Sequence, residues 1–80
     1  MNKYLVTVWH LAIRTSPEQH WMGGLVGWGP YYVESEAIEA KLDAAERWNA
    51  ARISPYTEER WLTSEEAHQL MVLGAKVARI

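Results

Sequence analysis

The side chains able to do chemistry in this chain are carboxylates, three histidines and a set of indole and phenol rings, and their spacing is that of surfaces, not of a catalytic centre. His68 follows Glu65 at i,i+3 in a single copy, whereas a dinuclear carboxylate centre draws several such ligands together from facing helices. His10 and His20 flank a polar turn in no register that would oppose them. Cysteine is absent, so neither a thiolate nucleophile nor a thiolate metal site can form. No serine stands in a nucleophile-elbow setting, and the glycines fit neither a phosphate loop nor a dinucleotide fingerprint. The expectation is a non-enzymatic protein with no metal and no cofactor.

Two constellations remain, and both point to contact surfaces. Glu36, Glu39, Asp43 and Glu46 fall within an arc of about 80° when wound at ~100° per residue, on the side away from Ile38 and Leu42. Three like-charge neighbours in that row cost an isolated helix about 0.2 to 0.5 kcal/mol each, and Arg47 gives Asp43 an i,i+4 partner. A charged helix face is ordinarily a solvent face. A row of four carboxylates also suits a basic partner protein, including one whose site normally holds a nucleic-acid backbone.

The second constellation runs from Trp21 to Tyr32, where Gly23, Gly24, Gly27 and Gly29 interleave with Trp21, Trp28, Tyr31 and Tyr32. Glycines on a strand leave shallow grooves, which neighbouring rings either cover or flank as contact anchors. Aromatic strands also stack bases in single-strand binders, with a basic groove alongside. The acidic balance of the chain argues against direct nucleic-acid contact, although Lys3, Arg14, Lys76 and Arg79 could gather on one sheet.

The elements that must position these residues follow from local pattern. Residues 3–13 are rich in β-branched and aromatic types and predict a strand with two apolar faces, covered on both sides or paired across a homodimer. A polar turn at 14–19 leads to a strand at 21–26, a kink at 27–30 and a strand at 31–34. Ser35 reads as the N-cap of a helix over 35–52 that buries Ile38, Leu42, Ala45 and Trp48, with Ala37 and Ala44 beside them, until Ser54 and Pro55 stop it. Residues 58–62 read as a short extended piece, and Thr63 with Glu66 fits a capping box opening a helix over 64–73. Gly74 ends that helix, and 75–80 reads as a final strand. The fold class is α+β: an antiparallel hairpin or three-strand meander, two helices and a C-terminal strand.

With 80 residues the chain makes one domain, 1–80, close to the size at which a single core only just outweighs chain entropy. Five Trp and four Tyr, with no Phe, supply bulky rings that still want a polar partner. The net charge of −2 conceals an uneven distribution, since residues 34–66 hold nine of the ten acids against four bases. The apolar run at the start is too short for a membrane span and lacks a signal-peptide cleavage site, and the absence of cysteine fits a reducing cytoplasm.

Residues 62–71, Leu-Thr-Ser-Glu-Glu-Ala-His-Gln-Leu-Met, resemble the opening helix of excisionase-type helix-turn-helix proteins. That family needs a recognition helix next, but 74–80 reads as a strand, so no DNA-reading residues carry over. In size, lack of cysteine and the charge layout around Glu36, Glu39, Asp43 and Glu46, the whole chain is similar to small phage inhibitors of bacterial defence such as the anti-CRISPR proteins. The resemblance implies a role in binding and blocking a host nucleic-acid-handling protein.

Overall fold

The computed structural model describes residues 1–23 and 28–80, and its axis is one long strand. β1 spans Asn2–Arg14, followed by β2 at Met22–Gly23, α1 at Glu34–Arg47, β3 at Ala50–Leu62, α2 at Ser64–Val72 and β4 at Val77–Arg79. β1 pairs antiparallel with β3 along its whole length, from Asn2 opposite Leu62 to Arg14 opposite Ala50. Its other edge is shared by three short pieces. β4 lies opposite Tyr4 to Val6, Tyr31 forms a single bridge to Trp9, and β2 lies opposite Ala12 and Ile13. The fold is therefore α+β, and its 45 Å long dimension matches a 13-residue strand at about 3.3 Å per residue.

The alternation along β1 explains why neither of its faces is polar. Tyr4, Val6 and Val8 are buried on one face, face A, and Leu11 and Ile13 on the other, face B. Tyr4 and Val6 pack with Leu62 and with Ala67 of α2, while Leu11 and Ile13 pack with Ala44 of α1. α2 thus covers face A at one end of the sheet, and α1 covers face B at the other. Each core takes one end of the strand, Tyr4 and Val6 in the first and Leu11 and Ile13 in the second. With both edges of β1 occupied, a dimer paired through this strand would have to displace one of its neighbours; among the described residues the long free edge belongs to β3, and the short β2 and β4 form the other side.

The structure differs from the sequence reading chiefly between residues 48 and 62. The helix expected to reach Arg52 ends at Arg47, and Trp48 turns extended with φ −122° and ψ 166°. Residues 50–54 pair instead with His10 to Arg14, which brings Ile53 and Ala51 against the α1 core. Those non-local pairings and that burial outweigh a local helix preference of a few tenths of a kcal/mol per residue. Pro55 accordingly stops no helix but sits mid-strand. Val33, with no side-chain hydrogen bond, replaces Ser35 as the N-cap of α1. Of the expected strand at 21–26, β2 contains Met22 and Gly23, and positions 24–26, with Gly27 of the kink, lie outside the described residues. The strand expected at 31–34 is reduced to the Tyr31 bridge, because α1 begins at Glu34.

Pro55 also shows how the free edge is guarded. Trp9 exchanges both backbone hydrogen bonds with Tyr31, so odd residues of β1 point away from β3 and even ones toward it. By register, the odd residues of β3 then turn their polar backbone groups outward. Pro55 places its missing N–H on that open edge, and Glu59 lies nearby, both devices that discourage strand addition.

The C-terminal helix follows its local signals closely. Thr63 Oγ1 accepts from the Glu66 N–H at 3.1 Å, and Glu66 Oε1 accepts from the Thr63 N–H at 2.9 Å. Those bonds, aided by the Arg60 charge, hold the Glu66 carboxyl below its ordinary range. At the other end, Gly74 takes φ 101°, and the Ala75 and Gly74 N–H groups donate to the Leu70 and Met71 carbonyls in a Schellman motif.

Replacing Thr63 by Ala should cost about 1 kcal/mol in chemical denaturation. Because the Glu66 value is lowered, its contribution is complete above the ordinary glutamate range and is lost as pH falls through the folded value; Glu66→Gln should remove that part of the acid-side slope. Leu62→Ala and Ile13→Ala, one in each core, should each cost about 2 to 5 kcal/mol in a single cooperative transition, since β1 and β3 run through both. Separate melting of the two ends, followed by circular dichroism and tryptophan fluorescence, would contradict this.

Candidate functional site

α1 is oriented by its alanines. Ala37 and Ala44 are buried against the sheet with Ala40 partly so, whereas Ile38 is 41% and Leu42 60% exposed. The sequence pattern places Ile38, Leu42, Ala45 and Trp48 in the core, and the structure reverses that preference. The layer under the helix is already filled by Leu11, Ile13, Ile53 and the rings of Trp28 and Tyr31, so only small side chains fit between helix and sheet. Winding outward at ~100° per residue, the exposed pair Ile38 and Leu42 borders Glu39 and Glu46.

The acidic row is exposed along its length. Glu36, Glu39, Asp43 and Glu46 all face solvent, and Asp43 meets Arg47 at 3.5 Å in an exposed pair of small energetic weight. Glu34 and Glu36 stand in the first turn, favourable toward the helix dipole, and Glu34 also reaches Lys76 at 3.9 Å. The outer surface of α1 therefore combines carboxylates with two uncovered aliphatic side chains.

The four rings of the glycine-aromatic segment divide between the two sides of the sheet. Tyr31 enters the α1 core, with its ring folded over Gly29, whose φ of 92° strains any side chain and where an added Cβ would stand 3.0 Å from the ring. Trp28 packs in the same core and meets Trp48 edge-on at 6.0 Å. Tyr32, the next residue after Tyr31, turns to the α2 core, where its hydroxyl accepts from Arg60 Nη1 at 3.1 Å. Trp21 lies beneath the guanidinium groups of Arg14 and Arg52, at 4.9 and 4.4 Å. A cleft of about 200 Å³ brings Trp28 and Tyr31 together with Asp43, Arg47 and Trp48. Trp21 and Tyr32 are not part of it.

One group of residues escaped the sequence reading. On the half of face A that α2 does not reach, His10, Ala12, Gly23, Arg52, Ser54 and Tyr56 line an open groove of about 480 Å³. The sequence pattern places Arg52 and Ser54 at the end of a helix and its stop, whereas the register sets them opposite Ala12 and His10. The strand-favouring Ile53, Tyr56, Thr57 and Trp61 were the available signal. Among the described residues, no three His, Asp or Glu side chains are grouped to hold a metal ion, and no helix is long and apolar enough to cross a membrane.

Comparison of the chain with protein-family models, with curated proteins and with solved structures gives no match.

The orientation of α1 has a direct consequence for stability. Leu42→Ser should change the unfolding free energy by no more than about 0.5 kcal/mol, as for a surface position. Ala44→Leu, which inserts bulk between helix and sheet, should cost about 1 to 3 kcal/mol in the same urea titration. The reverse ranking would place Leu42 in the core.

Proposed function

We propose that this chain is a non-enzymatic protein-binding module, an inhibitor or adaptor, that engages a basic surface of a nucleic-acid-handling partner through α1. The observation that carries the reading is the exposure of Ile38 and Leu42 beside Glu39 and Glu46. Carboxylates alone are an ordinary solvent face, and they act on association rate and orientation more than on affinity. Uncovered aliphatic side chains within the same surface supply area to bury, which a contact needs in order to persist. The cleft beside Asp43, walled by Trp28, Tyr31 and Trp48, offers a carboxylate and ring faces to an arginine or lysine of the partner. Such a cation would compete with Arg47 for Asp43.

The test is affinity capture from the native host's lysate with three baits: the natural chain, a variant with Glu36, Glu39, Asp43 and Glu46 all changed to Lys, and Leu42→Ser. The partner held by the natural chain should be lost from the lysine variant and depleted by the Leu42 change, and its retention should weaken as salt rises. Equal capture by all three folded baits would remove α1 from the account.

A further inference from the structure

Face A beyond the reach of α2 is a second surface, on the opposite side of the sheet from α1, and its chemistry is the reverse of the chain as a whole. We propose that this half-face binds single-stranded nucleic acid, seating a base in the groove beside Tyr56 and Gly23 and its phosphates on Arg52 and Arg14. The site does not depend on the α1 reading.

Three observations support it. The first is charge. Arg14 and Arg52 stand on the same face as His10, and among the described residues neither arginine lies within 4 Å of a carboxylate. Lys3, Lys76 and Arg79, by contrast, are engaged by Glu59, Glu34 and Asn2. The two guanidinium groups are held over the Trp21 ring instead, an arrangement that fixes a guanidinium, and exposed Arg52 keeps its edge donors for a bidentate acceptor. Arg14 Nε is buried, so Arg14 would meet a phosphate through its Nη groups, whereas Arg52 is exposed. Most of the carboxylates lie elsewhere, the row on α1 being across the sheet; Glu18 of the 14–19 turn and Glu58, two residues beyond Tyr56 on the same face, are the acids nearest in sequence, and neither pairs with Arg14 or Arg52.

The second observation is the ring. Tyr56 is 59% exposed in the middle of a strand, braced edge-on by His10 at 4.9 Å and 90°. A braced, exposed ring on an open antiparallel sheet is the stacking platform that single-strand binders use, and it tolerates any base because every base has a π face.

The third is depth. The groove is bounded at Gly23, where, among the described residues, an added Cβ would touch only Leu11 O at 3.5 Å and Ala12 Cβ at 3.7 Å, both ordinary contacts. The fold does not demand glycine there, and its absent side chain leaves depth for a ligand. A stacked base with a neighbouring anion satisfies ring, cations and groove together. An acidic peptide would use the arginines and leave the ring idle.

Fluorescence anisotropy on the full chain tests this, using labelled 15-nucleotide oligo-dT and oligo-U, a 15-base-pair duplex and a labelled oligo-glutamate peptide. The single strands should bind more tightly than duplex or peptide. Two phosphate contacts predict a slope of about −1.4 for log affinity against log salt. Arg52→Ala should reduce that slope by about 0.7, and Tyr56→Ala should weaken binding on the order of 5- to 150-fold. Gly23→Val, which fills the groove, should also weaken it. All three positions are exposed, and circular dichroism checks that each variant folds. Leu42→Ser should leave oligonucleotide affinity unchanged, which separates this site from α1. No binding of either single strand at low salt, equal binding of the peptide, or indifference to Tyr56→Ala would each overturn the proposal.

Discussion

A strand with two apolar faces has to be covered twice, and almost every other feature of this protein follows from how that is done with the two helices found among the described residues. β1 places Tyr4, Val6 and Val8 on one face and Leu11 and Ile13 on the other, so the buried parity switches part-way along an unbroken ladder. One helix at each end, on opposite faces, covers Tyr4 and Val6 in one core and Leu11 and Ile13 in the other. The same economy leaves two half-faces of the sheet uncovered. The adjacent Tyr31 and Tyr32 tie the arrangement together, since alternation sends one ring into each core.

The two exposed sides of the α1 end of the molecule are not equivalent. α1 approaches the sheet through alanines, because a layer already filled by Leu11, Ile53, Trp28 and Tyr31 admits nothing larger, and the helix therefore turns its aliphatic residues outward beside its acids. Across the sheet, the same half of β1 and β3 displays His10, Arg52 and Tyr56 with Arg14. The molecule has an acidic, aliphatic side and a cationic, aromatic side, separated by one sheet thickness. A net charge of −2 describes neither.

What could be read from the sequence was whatever local chemistry decides. The Thr63 and Glu66 capping box, the Gly74 stop and the β1 strand each rest on a few adjacent residues, and each is found where expected. β3 was legible only from 58 onward, because Ala50, Ala51 and Arg52 favour a helix locally and become strand through pairing with residues nearly forty positions away. The direction of α1 was hidden for a different reason. Hydrophobic periodicity marks Ile38 and Leu42 as the inner face, and the preference for alanine arises from the bulk already present in the layer below. The carboxylate row was visible at its correct positions, whereas the groove at Tyr56 depended on the missed half of β3 and could not be seen.

Because the chain has no cysteine, a single-cysteine scan along β1 with thiol labelling under native conditions tests the central claim directly. Slow labelling is expected at positions 6 and 8, fast labelling at 5 and 10, and slow labelling again at 11 and 13, so that protection moves from even to odd positions part-way along the strand. Protection confined to one parity from 4 to 13 would mean a single covered face, and would contradict both the opposed half-cores and the open surfaces derived from them.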